Sequence, residues 1–306
     1  MKAYVFTAHG GPEVEQFADV PRPDPGPGQL LIAVHAAGVN PADWKRRTGG
    51  MRPPGSPPEE FPVLFGREAA GVVEALGDGV TGFAAGDPVF GNTDAGGFSE
   101  YALLPVAVTA HQPAGLSFTD AATLPVAAAT AYDGVRQLAL PPGATLLITG
   151  VGGGVGVAAA QIARHDGLTV IGTASAGKKD FVTSLGVTHV EYGPGVADRV
   201  RAAAPQGIDG IYDQVGGDAL EEVAPLLADR SKLVTAADRA TVARLGGAPV
   251  ARARNQEVLD TVARLVLDGV LNPYVTHTFP LEQAPDALRL VEDGHARGKV
   301  VIEVAA

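Results

Sequence analysis

The chain has 306 residues, a formal net charge of −11, 46% hydrophobic and 19% charged side chains, and no cysteine. This length suggests about two domains, and the acidic balance argues against general nucleic-acid binding. Without cysteine there are no disulfides, thiolate metal sites or cysteine nucleophiles, a composition that fits the cytoplasm.

MKAYVFTAHG lacks the apolar core of an export signal, so no export is expected, and residues 1–6 read as a strand. The proline- and glycine-rich 21–28 is a turn-rich loop, and 29–37 alternates as a strand does. GVNPADWKRRTGG reads as a loop and short helix carrying polar groups, and proline-rich 52–62 as a mobile surface loop. Runs 63–76, 87–90 and 97–104 are short strands between Gly/Asp turns, the pattern of an all-β module. At Ser117–Asp120, SFTD is a capping box opening an alanine-rich helix. Beyond it, strands near 145–149, 168–173, 187–191, 208–213 and 231–236 alternate with helices, which predicts a doubly wound parallel sheet. Helices are expected over 255–268 and 281–294 and a last strand over 299–304; the apolar run 247–251 is a candidate edge strand for pairing across a dimer.

The stretch 144–175 organises the rest. An apolar β-branched strand runs into a glycine-rich turn, an alanine-rich helix over 157–164 and a second buried strand, all within about 30 residues: a βαβ unit. Free N–H groups and the positive dipole end at such a helix start favour an anion such as a pyrophosphate, and glycines let the backbone approach it. The dinucleotide fingerprint is not literal, because Val151 holds its first glycine position; what stands is Gly150-x-x-Gly153-x-x-Gly156, with Gly152 and Gly154 in addition. Gly150, Gly153, Gly154, Val155 and Gly156 are the candidate pyrophosphate-binding residues. A membrane span over the uncharged 137–163 is the competing reading; its strand–turn–helix punctuation argues against it. The seven histidines are scattered with no i, i+3 or i, i+4 pair, so no metal site is expected from them.

AAGVNPADWKRRTG (36–49), FPVLFGREAAGVVEALGDGVTGFAAGDPVFG (61–91), GGFSEYALLP (96–105), AATLPVAAATAYDGV (121–135), the glycine turn and GHARGKVVIEV (294–304) together resemble the medium-chain dehydrogenase/reductase superfamily, in its zinc-free quinone oxidoreductase branch. The resemblance implies an α/β chain with a GroES-like β-barrel catalytic domain (1–117), a Rossmann cofactor domain (118–254) and a C-terminal return to the catalytic domain (255–306), with the active site in the cleft between them. It implies a cytoplasmic homodimer joined through the Rossmann edge, a small-molecule electron acceptor as partner, and neither nucleic acid nor membrane. Zinc-using relatives place Cys, His plus Glu, and Cys around the metal. Here Asn40 stands at the first cysteine position and Arg67 at the histidine position, with Glu68 retained. Arg cannot be a neutral nitrogen ligand.

An NAD-selecting site has a carboxylate at the end of the second strand. Here GTAS ends that strand, with no acid before Asp180. Ser175, Lys178 and Tyr192 match the family positions that hold the 2′-phosphate, so NADP(H) is the expected cofactor. Asn40 matches a residue near the nicotinamide ribose and the substrate, and Thr130 one near the nicotinamide or, alternatively, a locally capped helix-start hydroxyl. Asp43 is a catalytic candidate or a capping carboxylate. Lys299 matches a position that reaches the cofactor phosphates, or is a surface strand lysine. Arg67 orients an anionic or carbonyl substrate or, the reading favoured here, pairs with Glu68 or another acid. Trp44 walls the pocket or anchors its helix.

The expected reaction is hydride transfer from NADPH to a quinone or another conjugated carbonyl. The alternatives are an enoyl or ketone reductase of a biosynthetic pathway, and a low-turnover NADPH-binding redox sensor. Enoyl-thioester reductases of the superfamily often carry a Tyr after the NPxD loop, and this chain has none between Tyr4 and Tyr101.

Overall fold

Short strands dominate the first third of the chain and strand–helix alternation the middle. The structure, a computed structural model, describes all residues except 52–54, 56, 95, 295, 305 and 306. In chain order the first part holds β1 (Lys2–Phe6), β2 (Glu15–Asp19), β3 (Gln29–Val39), α1 (Pro41–Arg47), β4 (Val63–Leu64), β5 (Glu68–Leu76), β6 (Pro88–Asn92), β7 (Tyr101–Pro105), β8 (Thr109–His111) and α2 (Phe118–Ala121). Next come α3 (Ala129–Leu138), β9 (Thr145–Thr149), α4 (Gly154–His165), β10 (Thr169–Ala174), α5 (Lys179–Ser184) and β11 (Thr188–Glu191). They are followed by α6 (Val196–Ala203), β12 (Gly210–Asp213), α7 (Gly217–Val223), β13 (Leu233–Thr235), α8 (Arg239–Arg244) and β14 (Ala248–Pro249). The chain closes with α9 (Gln256–Leu267), β15 (Val275–Pro280), α10 (Ala284–Glu292) and β16 (Lys299–Glu303).

Two compact units form: Met1–Val126 with Arg254–Arg264 and Val275–Ala306, and Ala127–Ala253 with Leu265–Tyr274. The first is thus built from both chain ends. Its seven-stranded sheet runs β15-β16-β3-β5-β6-β8, with β7 also on β3, beside a three-stranded sheet β2-β1-β4. All these pairings are antiparallel except β15 with β16. The core is apolar and aromatic, with Phe6, Phe98, Leu30, Ile32 and Leu104 fully buried; each such side chain is worth roughly 1.5–3 kcal/mol. Arg47 is buried within it and pairs with Glu15 and Glu292, which fastens α1 to the barrel side and to α10.

The second unit carries a six-stranded sheet, β11-β10-β9-β12-β13-β14, every pairing parallel. Counted from β9 this is the order 3-2-1-4-5-6 of the doubly wound nucleotide-binding fold, whose ligand crevice lies where the order reverses, between β9 and β12. The run 247–251 supplies β14 at the sheet's edge.

Several elements differ from the expectation. Run 63–76 is two strands, broken at Phe65–Arg67, where Gly66 takes a left-handed backbone. The helix opened by SFTD lasts only four residues, and a π turn at Leu124–Ala128, around Pro125, separates it from α3. Ser117 does cap it, its Oγ accepting from Asp120 N–H at 3.0 Å, while the Asp120 carboxylate accepts from the Ser117 hydroxyl at 2.8 Å. No strand is read from the sequence at β2, β8 or β15; each lies at the end of its sheet, β2 and β15 having no buried residue to mark an alternation and β8 being only three residues long. The expected loop over 52–62 lies in part outside the described residues.

Candidate functional site

In the first unit, β3 ends at Val39 and Asn40 opens α1. Gly38, just before, is required by packing: a Cβ there would overlap the Glu68 carboxylate and lie 2.6 Å from the Ala122 carbonyl. Into the space it leaves, Glu68 projects fully buried. Its Oε1 accepts from Asn40 Nδ2 at 2.8 Å and from Lys299 Nζ at 2.9 Å, and its Oε2 accepts from Val126 N–H at 2.7 Å. Lys299 Nζ also donates to Asn40 Oδ1 at 2.7 Å and to the Val39 carbonyl at 3.2 Å. The Asn40 amide is therefore held from both ends, with its oxygen on the ammonium and its nitrogen on the carboxylate.

This corrects two readings, Lys299 as a surface strand lysine and Arg67 as the partner of Glu68. Lys299 is no surface lysine, since it is only 4% exposed, and its ammonium donates to Glu68, Asn40 and the Val39 carbonyl. Arg67 does not pair with Glu68, because Lys299 has taken that carboxylate. The same arrangement answers whether zinc fits. Of the positions matched above to the zinc ligands, Asn40 is an amide, Arg67 a guanidinium, and Glu68 a carboxylate already bonded to an ammonium, and the chain has no cysteine to supply a thiolate. The donors do not fit a divalent cation.

Asp43 is buried at the first turn of α1, and its Oδ2 accepts from the Asn40 N–H at 2.8 Å, which is the capping geometry. Burial pushes its carboxyl up to about 7, against the pull of that N–H and of the Arg67 charge. Trp44 packs against the barrel core, as a helix anchor does.

In the second unit, the first parallel strand runs into the glycine turn. Gly150 adopts φ +64°, Gly153 N-caps α4, and Gly153, Gly154 and Val155 are partly exposed. Gly156 is buried, and a Cβ on it would fall 2.6 Å from the Gly150 carbonyl oxygen and from Val151 Cα; Gly153 has room, its nearest neighbour at 3.6 Å. The first N–H groups of α4 precede its hydrogen-bonded ladder and are directed outward. At the end of β10, Ser175 follows Ala174, whose carbonyl accepts from the Tyr192 N–H at 3.1 Å, so the ends of β10 and β11 bring Ser175 and Tyr192 side by side. The Lys178 side chain folds back over the turn: a Cβ on Gly152 would lie 2.8 Å from Lys178 Cδ. Tyr192 is 61% exposed.

Thr130 is buried in α3, and its hydroxyl accepts from Arg252 Nε at 3.1 Å, so it is not capped locally. Its carbonyl accepts from the Tyr212 hydroxyl at 2.6 Å. Sequence reasoning missed Arg252 and also Asp213. Fully buried at the end of β12, Asp213 accepts from Thr149 at 2.6 Å and from Thr235 at 2.5 Å, tying the ends of β9 and β13 to β12 beside the crevice. An acid closing a strand was the available signal. Among the described residues no group of three or more His, Cys, Asp or Glu is placed to hold a metal ion, and no helix is long and apolar enough to cross a membrane.

Comparison with known proteins agrees with this architecture. Residues 26–114 match the family described as alcohol dehydrogenase GroES-like domain, and residues 185–302 the one described as zinc-binding dehydrogenase. A 2-methylene-furan-3-one reductase of Solanum lycopersicum is 31% identical over 317 residues, covering 99% of this chain and 79% of that protein. The structure of a quinone oxidoreductase from Coxiella burnetii superposes with a TM-score of 0.89 at 30% identity, covering 100% of this chain and 99% of the other. That of an Escherichia coli quinone oxidoreductase complexed with NADPH gives 0.87 at 25% identity, covering 99% and 100%. With a GroES-like part, a Rossmann-type sheet and relatives of this similarity along its whole length, the chain belongs to the medium-chain dehydrogenase/reductase superfamily, an oxidoreductase family, and is similar to its quinone oxidoreductases.

Proposed function

We propose that this chain is an NADPH-dependent oxidoreductase that reduces a quinone or another conjugated carbonyl without zinc. The observation that carries the reading is the end of β10: no acid stands there, the backbone brings Tyr192 beside Ser175, and Lys178 folds back over the glycine turn, which supports a pocket for a ribose 2′-phosphate. When bound, NADPH supplies the hydride from C4 of its nicotinamide ring. The N–H groups of Gly154, Val155 and Gly156 receive the pyrophosphate at the start of α4. Asn40, with its amide fixed by Glu68 and Lys299, positions cofactor and acceptor; Thr130 and Asp43 complete the catalytic candidates. Charge developing on the acceptor oxygen is met by hydrogen-bond donors, and a proton from water completes the reduction. The relatives named for quinone and methylene-furanone reduction share an electron-poor conjugated carbonyl, which supports that acceptor class.

The same reading divides the chain into a catalytic part (1–117 and 255–306) and a cofactor part (118–254), and takes it as a cytoplasmic homodimer. Support for the dimer is that β14 leaves the six-stranded sheet with an edge strand; support for the compartment is the cysteine-free composition. Calorimetric titration with NADPH and with NADH in one buffer tests the cofactor. Tight NADPH and weak NADH binding is expected; preference for NADH overturns the assignment of Ser175, Lys178 and Tyr192. An acceptor panel of quinones, enones and enoyl thioesters then tests the substrate class.

A further inference from the structure

Every arginine and lysine around α1 but one is committed to an acid or a carbonyl close by, or points along the surface. Arg47 is spent on Glu15 and Glu292, Arg46 on Glu59 at 2.7 Å, and Lys299 on Glu68. Arg67 is the exception: among the described residues its guanidinium makes no ion pair and no hydrogen bond, although the side chain is partly buried. Its backbone is fixed, because the Arg67 carbonyl accepts from the Thr93 N–H at 3.0 Å and leads directly into β5. Burial opposes its charge, Asp43 supports it, and Arg46 and Arg254 oppose it again. Asp43 is a weak counter-ion, being itself buried and raised to about 7. A guanidinium stays protonated in such a place, so a positive charge is held half-buried, open to solvent and without an acid partner, where it feels the Asp43 carboxyl at the start of α1. A group in that state gains most from a planar oxyanion that its fork meets with two parallel hydrogen bonds.

We propose that Arg67 is an anion-recognising residue, and that the preferred electron acceptor of this protein is a conjugated carbonyl bearing a carboxylate. The exposed Arg254, whose charge acts on Arg67, adds to the positive side of the site. This rests on the proposed reductase function for the word acceptor, but the recognition is testable apart from it.

The experiment is calorimetric titration of the full chain, free of cofactor, with 1-naphthoate and with 1-naphthamide, which have the same ring system and differ in charge. Wild type is expected to bind the carboxylate roughly ten- to a hundredfold more tightly than the amide. Arg67→Met is expected to erase that preference, Arg67→Lys to keep part of it, and the exposed Arg254→Gln to weaken it only at low salt. Equal affinities in wild type, no carboxylate binding at millimolar concentration, or a preference unchanged in Arg67→Met each overturn the proposal. NADPH titration of the same samples reads the reductase assignment separately. Loss of the carboxylate preference with NADPH binding intact in Arg67→Met supports anion recognition alone, and failure of wild type to bind NADPH counts against the reductase reading while leaving the anion result standing.

Discussion

Lys299 Nζ lies 2.9 Å from Glu68 Oε1, and the two residues, 231 positions apart in the chain, are 4% and 0% exposed. The pair joins the last strand, β16, to the start of β5, and it holds the Asn40 amide between an ammonium and a carboxylate. A buried ion pair of this kind adds little net stability over a hydrophobic pair, but losing one partner is costly.

Lys299→Met should therefore destabilise the fold by about 3–5 kcal/mol, since it leaves the Glu68 carboxylate buried without a cation. In a Glu68→Gln background the same change should cost markedly less. Urea unfolding of the four proteins measures the coupling; additive losses would show that the two side chains do not act as a pair.

Asp43 makes stability depend on pH in a definite direction. Its carboxyl sits at about 7 in the folded chain, against about 3.9 unfolded, so the folded state binds the extra proton between those values. Its contribution is fully present below about pH 4, falls by about 1.4 kcal/mol per pH unit as pH rises, and is lost above about 7. Asp43→Asn keeps an acceptor for the Asn40 N–H and removes the titration. The stability of the variant relative to wild type should thus climb from pH 4 to 7 and then level off, as followed by denaturant unfolding across that range.

Two glycines six and three residues into the turn region should behave differently. Gly156→Ala places a Cβ against the Gly150 carbonyl and Val151 Cα, where backbone cannot yield cheaply, and should cost about 1–3 kcal/mol of stability. Gly153→Ala meets nothing closer than 3.6 Å and should leave the melting temperature nearly unchanged while weakening dinucleotide binding, because the added methyl faces the partly exposed turn. Thermal melts with NADPH titrations separate the two effects.

Ser175→Ala combined with Lys178→Ala should weaken NADPH binding by roughly ten- to a hundredfold, the scale of lost charge-assisted hydrogen bonds, and leave NADH binding almost as before. Equal losses for both cofactors would show that these side chains do not hold the 2′-phosphate.

Sequence by itself determined the βαβ unit, the alternation of strands and helices that makes a doubly wound parallel sheet, and the Ser117 cap, because each is a local pattern: β-branched runs, glycine at a tight turn, an alanine-rich helix; the order of the strands came from the tertiary structure. It also carried, through resemblance, the positions of Asn40, Arg67 and Glu68. Only the tertiary structure decided what those residues do to one another. Lys299 stayed open between a cofactor-phosphate residue and a strand-surface lysine because a single side chain in an apolar run carries no sign of what lies opposite, and its partners arrive from the end of β3, the N-cap of α1 and β5. That choice of partner for Glu68 in turn left Arg67 without an ion pair among the described residues. Strand β15 was hidden for a related reason: all six of its residues are half-exposed or exposed, and it becomes a strand through its pairing with β16. Local propensity is written residue by residue, whereas ion pairing and edge pairing are settled by which distant segments meet.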